Sequence, residues 1–286
     1  MTTTLSIACV QVSPNGDRLS NIDEAIAGVR RAAANGAKLI ALPEYATLLH
    51  SRGRVMRDGA GSGENDEALT AFSAVALECQ CWILVGSLTM RADNEKIYNR
   101  SYLFADDGSV VASYDKLHMF NATLPTGRVI QEGSLYEAGS RAVAAETPWG
   151  LLGLTICYDV RFPHLYRALA QAGAKMIAVP AAFTRTTGRM HWHALLRARA
   201  IENACYIIAP ATCGIHPDDH ATFGHSLVVD PYGKIVLEAE DEPGVFEVEI
   251  DLSQVDIARA LIPSLTHDRP FQVEIASRAG AYHLTG

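Results

Sequence analysis

Short apolar runs alternate with amphipathic stretches along nearly the whole chain. The amphipathic stretches predict helices at 17–34, 66–78, 163–172 and about 190–203; in the first, apolar residues recur on one face at positions 22, 26, 29 and 33. The apolar runs predict buried strands at 5–12, 38–42, 82–89, 151–156, 175–179 and 205–210. Six more strands are predicted at 97–104, 110–114, 141–147, 226–229, 235–239 and 245–250. Strands and helices interspersed in this way are typical of an α/β fold built in layers.

Composition narrows the class of protein without naming a chemistry. Of the 286 residues, 49% are hydrophobic and 20% are charged, which is a globular balance. The formal net charge of −8 argues against binding to nucleic acid or to an anionic membrane, because both need a basic face. No apolar run approaches the length that spans a bilayer. Because no linker, low-complexity tract or charge block divides the chain, residues 1–286 are predicted to form one domain.

The six cysteines are scattered through apolar stretches, and the N-terminal sequence lacks the pattern of a secretory signal. This favours reduced thiols and a cytoplasmic location. Cys79 and Cys81 form a close pair, but no second pair or histidine cluster completes a zinc site, so no metal is expected there.

Cys157 stands between the apolar strand 151–156 and a helix that begins at Pro163. A side chain on such a turn lies close to backbone N–H groups and to the positive end of the helix dipole, which lower a thiol pKa and stabilise an oxyanion. The alternative is a buried cysteine that packs as a small hydrophobic residue.

Glu44 and Lys116 also follow predicted strands, and each taken alone is typical of a solvated loop. Together with Cys157 they form the set that amide cleavage needs: a nucleophile, a proton acceptor and donor, and a cation for the oxyanion. No histidine is obviously paired with Cys157, so a papain-like Cys–His site has little support.

Three separated motifs resemble those of the nitrilase, or carbon–nitrogen hydrolase, superfamily: LPEY at 42–45, YDKLH at 114–118 and ICYDVRFP at 156–163. Further stretches fit the same family, namely PAAF at 180–183, HW at 191–192, LRARAIEN at 196–203, GHS at 224–226 and VDPYG at 229–233. The resemblance covers about residues 5–271. It implies a four-layer α-β-β-α sandwich that pairs with a second subunit, as a homodimer or a higher homo-oligomer.

Carried over by residue, the resemblance implies that Cys157 is the nucleophile, Glu44 the general base and Lys116 the stabiliser of the tetrahedral intermediate. The backbone N–H of Tyr158 is the expected second oxyanion donor. Many members add a second glutamate between the lysine and the cysteine. Glu132 is the candidate for that position.

Glu137 is the fallback for the second glutamate. Tyr45, Phe183 and Thr184 are the expected substrate-binding residues, with Arg185 as a further candidate, because they follow strand ends beside the catalytic groups. No metal or organic cofactor is expected, since thiol, carboxylate and ammonium suffice for the reaction.

The nearest branch of the family contains amidases that act on ω-amides of short acids or on deaminated glutathione, so the expected partner is a small-molecule amide. Alternatives are hydrolysis of N-carbamoyl amino acids or ureido acids, nitrile hydrolysis, acyl transfer to an amine, and a metabolite-binding pseudoenzyme.

Two side-chain sets in the family-like segments are open to a structural interpretation. Arginines 161, 167, 197 and 199 are expected to brace the nucleophile turn, with Glu202 as a plausible partner. His193 stands where close relatives commonly have glutamate. Its effect depends on whether it faces the pocket, the core or a subunit contact. His191 and His193 lie two apart, so on a helix they do not face each other.

Overall fold

Two six-stranded sheets form the centre of the molecule. The computed structural model describes residues 3–63, 65–123, 127, 129–217 and 220–275. The first sheet has the order β16-β1-β2-β3-β4-β5, where the strands are β1 (Thr4–Gln11), β2 (Leu39–Ala41), β3 (Trp82–Arg91), β4 (Ile97–Phe104), β5 (Val110–Asp115) and β16 (Gly244–Asp251). Strands β1, β2 and β3 run parallel, and the remaining pairings are antiparallel.

The second sheet repeats this plan with a parallel centre and antiparallel edges. Its order is β15-β14-β11-β10-β9-β8, where the strands are β8 (Val143–Thr147), β9 (Gly150–Leu154), β10 (Met176–Ala178), β11 (Tyr206–Ala209), β14 (Leu227–Val229) and β15 (Ile235–Glu238). Two small hairpins lie outside the large sheets, formed by β6 (Asn121–Thr123) with β7 (Val129–Gln131) and by β12 (Cys213–His216) with β13 (His220–Phe223).

Helices cover the outer face of each sheet. The helices are α1 (Arg18–Ala34), α2 (Gly53–Asp58), α3 (Glu67–Cys79), α4 (Pro163–Gln171), α5 (Arg185–Asn203) and α6 (Ser253–Leu261). Helices α1 and α3 pack on the first sheet, whereas α4 and α5 pack on the second. Asp17 and Asp66 cap α1 and α3 by accepting hydrogen bonds from backbone N–H groups of the first turn. No helix in the described ranges is long and apolar enough to cross a membrane.

The alternating directions of side chains along β1 explain why two cores form. Ile7 and Cys9 point into the core between the two sheets, where they join Leu152 of β9. Ala8 and Val10 point to the other face, into the core under α1 and α3. Full burial of an aliphatic side chain contributes about 1.5–3 kcal/mol to the stability of the fold. A strand that is buried on both faces therefore stabilises the packing of the layers on either side of it. The layers therefore follow the order α-β-β-α, as expected from the resemblance.

Candidate active site

The loops that follow several strands meet at one edge of the two sheets. Glu44 lies beyond β2, and the backbone of Leu42 still donates to the carbonyl of Leu84 in β3 at 2.8 Å. Gly86 makes the close approach of the sheets feasible at this edge. A Cβ at this position would lie 2.1 Å from the Leu42 oxygen and 2.5 Å from the Cβ of Pro180, which follows β10. Only glycine fits there, so the segments that follow β2 and β10 can both lie against the backbone of β3.

Cys157 occupies a strained turn directly beyond β9. Its φ of 49° is left-handed, which is uncommon for a residue with a side chain and costs about 1–3 kcal/mol. The backbone N–H of Cys157 donates to the carbonyl of Pro180 at 2.9 Å, and a 3₁₀ turn over Cys157–Arg161 leads into α4. The thiol is therefore held at the start of a turn whose first N–H groups have no partner within it.

Asp159 joins this turn to the segment that carries Lys116. Its fully buried carboxylate accepts hydrogen bonds from the N–H of Ile156 at 2.8 Å, the hydroxyl of Tyr114 at 2.7 Å and the N–H of His118 at 3.1 Å. One side chain thus fixes the positions of two segments that are distant in sequence.

Lys116 lies buried between two carboxylates. Its Nζ is 3.0 Å from Glu44 Oε1 and 2.8 and 2.9 Å from the two oxygens of Glu132, and all three side chains are at most 8% exposed. Burial alone would lower the pKa of Lys116, but the charges of Glu132 and Glu44 raise that pKa well above its usual range. The lysine therefore stays an ammonium ion inside the protein.

Glu44 connects this ammonium to the thiol. Its Oε2 accepts from the N–H of Ala182 at 2.8 Å, and its Oε1 accepts from Asn99 Nδ2 at 2.8 Å. The thiol of Cys157 lines the same cavity as this carboxylate. Burial, and then the negative charge of Glu44, raises the pKa of Cys157 well above its usual range, while Lys116 opposes this effect. Cys157 therefore carries a protonated thiol at rest, in the same cavity wall as the Glu44 carboxylate.

Glu132 is anchored in the same cluster, whereas Glu137 is not. Besides Lys116, Glu132 accepts from the hydroxyl of Tyr45 at 3.1 Å and from the N–H of Phe120. Glu137 lies 3.4 Å from Lys96 and is 36% exposed. The geometry thus favours Glu132 over the fallback.

Comparison with known proteins agrees with this arrangement. The sequence matches the carbon–nitrogen hydrolase family over residues 6–260. The chain belongs to this family. The deaminated glutathione amidase of Mus musculus is 38% identical over 269 residues, which cover 92% of this chain and 83% of the mouse protein. The resemblance inferred from the motifs is therefore confirmed, and this chain is a hydrolase of carbon–nitrogen bonds.

Two solved structures extend the comparison. The nitrilase and fragile histidine triad fusion protein NitFhit of Caenorhabditis elegans superposes with a TM-score of 0.88 at 34% identity, over 94% of this chain and 66% of the fusion chain. An amidase from Nesterenkonia sp. AN1, a glutamate-to-glutamine mutant, has a TM-score of 0.76 at 25% identity, over 91% of this chain and 98% of that one. In that amidase, acrylamide has added to the active-site cysteine. The predicted fold class is confirmed by these neighbours.

A cavity of about 310 Å³ opens onto the cluster of this carbon–nitrogen hydrolase. Glu44, Lys116, Glu132 and Cys157 line it, together with two predicted substrate-binding residues, Tyr45 and Thr184, among others. A volume of this size suits a small organic ligand.

A narrower slot continues on the other side of Cys157. Phe183, Tyr158, Arg161 and Thr184 are among the residues that line it. Arg185, the further candidate, lies 3.7 Å from Asp241 instead and does not line either space.

Sequence reasoning missed some residues of the site. Asn99 and Asp159 received no role, although both are buried at the centre of the hydrogen bonding. Asn99, within the predicted strand 97–104, is the one signal that could have drawn attention, because an amide that is buried without a partner is expensive. Arg199 does pair with Glu202, at 2.6 Å, as expected of a bracing residue. Arg161 instead lines the slot.

Proposed function

We propose that this carbon–nitrogen hydrolase cleaves a small linear amide to a carboxylic acid and ammonia through a thioester on Cys157. The observation that carries the proposal is the position of Glu44. Its carboxylate is buried, contacts the Lys116 ammonium at 3.0 Å and lines the same cavity as the Cys157 thiol, whose pKa its negative charge raises.

In the first half-reaction the Cys157 sulfur attacks the amide carbon while Glu44 takes the thiol proton. Negative charge then develops on the former carbonyl oxygen, which the Lys116 ammonium and the N–H of Tyr158 stabilise. Removing one donor of this kind from an enzyme typically raises the barrier by about 2.7–4 kcal/mol. The carbon–nitrogen bond breaks as protonated Glu44 gives its proton to the leaving nitrogen, and the acyl group remains on sulfur.

In the second half-reaction water attacks the thioester and Glu44 accepts a proton from that water. The carbon–sulfur bond then breaks, the acid leaves, and the proton on Glu44 returns to the sulfur. Glu44 thus acts as base and acid in both halves, and Lys116 and Glu132 do not need to exchange protons.

The substrate is proposed to be the amide of a short acid that also carries a carboxylate, such as deaminated glutathione or another ω-amide. The name of the mouse relative supports the first of these. The slot beside Cys157 supports the carboxylate, because the guanidinium of Arg161 lies over the rings of Tyr158 and Phe183 at 5.9 and 5.7 Å. Within the described ranges Arg161 contacts His191 Nδ1 at 3.3 Å but pairs with no carboxylate side chain, so its charge is available to a ligand.

The enzyme is also proposed to act in the cytoplasm as a homodimer or a higher homo-oligomer. All six cysteines are free, which suits a reducing compartment. Support for an oligomer comes from exposed apolar side chains in the segment after α6, including Phe271 at 85%, Val273 at 83% and Ile275 at 88%. Light scattering on the purified protein measures the mass directly, and a monomer would contradict this part.

The test of the reaction is ammonia release from a panel of ω-amides, ureido acids and nitriles, with product analysis by mass spectrometry. Release of ammonia and acid from a short ω-amide, lost in Cys157→Ala, is the expected result. Cys79→Ala is the matched control, since this partly exposed cysteine does not line the cavity.

Other outcomes separate the alternatives. Carbon dioxide together with ammonia from a ureido acid would favour the carbamoyl amidase, and turnover of nitriles alone would favour a nitrilase. Full activity in Cys157→Ala would refute the thioester mechanism.

A further inference from the structure

Three metal-ligating side chains converge outside the cavity. His193 lies in α5, His225 lies between β13 and β14, and Glu238 ends β15. One ligand atom from each falls within 4.8 Å of the other two, and this is the one group of its kind in the described part of the chain. None of the three lines the cavity or the slot. His193 therefore contributes to a surface cluster that is separate from the cavity.

The distances within the cluster match a shared ion better than a complete hydrogen-bond network. His193 Nε2 lies 2.7 Å from Glu238 Oε1, whereas His225 Nδ1 lies 3.7 Å from the same oxygen, beyond hydrogen-bonding range. That Nδ1 is a buried atom with no hydrogen-bond partner among the described residues. Ligand atoms on a tetrahedral zinc, each roughly 2.0–2.1 Å from the metal, are roughly 3.3 Å apart. Binding at that spacing needs a small shift of the Glu238 carboxylate and an approach of the two imidazoles, whose ligand atoms lie within 4.8 Å of each other.

The backbone holds His225 in place before any ion binds. Its φ is 56°, in the left-handed region, and its N–H donates to the carbonyl of Glu240 at 3.2 Å. Its carbonyl accepts from Trp192 Nε1 at 2.8 Å, and its ring lies 4.3 Å from that of Phe223. A strained and fully anchored residue whose side-chain nitrogen is left unpaired is the kind of position that a ligand explains.

We propose that His193 Nε2, His225 Nδ1 and a Glu238 oxygen bind a divalent transition-metal ion, with Zn²⁺ as the best fit. Two imidazoles and one carboxylate form a three-ligand zinc set, whereas Mg²⁺ and Ca²⁺ prefer oxygen ligands. The side chains are 28–40% exposed, so water completes the coordination from the open side.

The bound ion would connect helix α5, the loop between β13 and β14, and strand β15, next to the residues that form the wall of the slot. Trp192, which precedes His193, contacts Phe183 with ring centroids 4.9 Å apart, and Phe183 lines the slot. The site is thus a brace for α5 and β15, and it supplies no group to the amide chemistry.

The experiment uses the Cys157→Ala protein, because the thiol beside Glu44 is itself a zinc ligand. After treatment with a chelator and its removal, the protein is titrated with ZnCl₂ by calorimetry and with Co²⁺ by visible absorption. The expected result is one tight site per chain whose Co²⁺ bands are typical of nitrogen and oxygen ligands. His193→Gln, His225→Asn and Glu238→Gln are each expected to weaken binding about 100-fold or more, since even an outer-shell change costs 10–100-fold.

Two controls keep the outcome interpretable. His267→Gln removes an exposed histidine after α6 and should leave zinc affinity unchanged. Asparagine at 225 tolerates the left-handed backbone, so the metal-free His225→Asn protein should melt within a few degrees of its parent. Absence of a zinc site, or affinity that persists in both His193→Gln and Glu238→Gln, would overturn the proposal. Because the readouts do not involve turnover, a failure here is distinct from a failure of the amidase proposal.

Discussion

Replacing Glu132 by glutamine tests what the second carboxylate does for Lys116. The change keeps the shape of the side chain and removes its charge. Glu132 supplies two of the three oxygen contacts to Lys116 Nζ, at 2.8 and 2.9 Å, and Glu44 supplies the third at 3.0 Å. When Glu44 accepts the thiol proton it becomes neutral, and Glu132 is then the one anion that still holds the ammonium.

The size of the effect follows from these contacts. A hydrogen bond to a charged group contributes about 1.5–3 kcal/mol, which corresponds to roughly 10- to 150-fold in rate. We expect kcat of Glu132→Gln to fall by about that factor. KM should stay within about threefold, since glutamine fills the same part of the cavity wall.

The pH profile gives an independent readout. In the wild type the negative charge of Glu132 is the largest influence that raises the pKa of Lys116, so the lysine stays charged well into alkaline solution. Without that charge the pKa falls, and the alkaline decline in rate should move to lower pH. Ammonia release measured from pH 6 to 10, with kcat and KM resolved separately, tests both expectations.

Glu137→Gln is the matched control, because Glu137 is the other acid of the segment but is exposed and lies beside Lys96. It should keep kcat within about twofold of the wild type. A Glu132→Gln enzyme with wild-type kcat and an unmoved alkaline limb would refute the reasoning. So would an equal loss in Glu137→Gln.

Three further predictions concern Asp159, Arg161 in the slot, and two buried cysteines of the core. Asp159→Asn replaces one of the two acceptor oxygens by an NH₂ donor that faces the backbone N–H of Ile156 or of His118, so urea unfolding should show a loss of about 2–4 kcal/mol, and a loss below 1 kcal/mol would contradict this role of Asp159. Arg161→Gln should raise KM about tenfold or more for a carboxylate-bearing amide but leave KM for a neutral amide unchanged; equal effects on both would exclude a contact with the carboxylate. Burial raises the pKa of Cys9 and of Cys205 to about 12, above the 9.0 of a free thiol, so their protonated forms stabilise the fold fully below pH 9. As pH rises from 9 to 12, each thiol should lower the free energy of unfolding by roughly 1.4 kcal/mol per pH unit. The urea midpoint of Cys205→Ala should therefore fall less steeply than that of the wild type between pH 8 and 10.5. Equal slopes in the two proteins would contradict the raised pKa of Cys205.

The sheet strands could be predicted from the sequence because most are continuous apolar runs. The predicted strand 97–104 coincides with β4, and the predicted strand 5–12 is shifted by one residue from β1. Hydrophobicity alone specifies β1, whereas β4 contains polar residues at 99–101 and is indicated by the turn residues Asp106-Asp107-Gly108 that follow it. That residues 1–286 form one domain stays a prediction, and residues 276–286 lie outside the described ranges.

The elements that were not predicted depend on tertiary contacts. Helix α2 has six residues and α6 has nine, which is too short for the hydrophobic pattern of a helix to be recognised. The hairpins β6–β7 and β12–β13 have strands of three or four residues, which are also too short. Helix α5 starts at Arg185, about five residues earlier than predicted, through a stretch that contains Gly188. Thr184 caps this turn, and Gly188 packs against Phe223 so closely that a Cβ would lie 2.3 Å from that ring. Local propensity cannot reveal a turn that is stabilised in this way.

The candidate site shows the same limit. Positions 44, 116 and 157 could be grouped because the resemblance supplied the combination, and the structure does bring them together. Asn99 and Asp159 act through distant partners, and no local pattern in the sequence indicates a hydrogen bond between positions 99 and 44 or between positions 159 and 114. Their roles follow from three-dimensional neighbours alone.

The charges of the site explain why it contains two glutamates and one lysine. At rest the buried cluster holds the carboxylates of Glu44 and Glu132, the ammonium of Lys116 and a neutral thiol, so its net charge is −1. In the proposed mechanism, transfer of the proton from Cys157 to Glu44 leaves that total unchanged. It moves one negative charge from Glu44 to sulfur and then to the substrate oxygen, while Lys116 stays fixed by Glu132. Because no net charge enters or leaves the buried site, the surroundings need little reorganisation as the oxyanion forms, which is the condition for strong electrostatic stabilisation. A site with only one glutamate would lose its anion at the moment when the ammonium must remain in place.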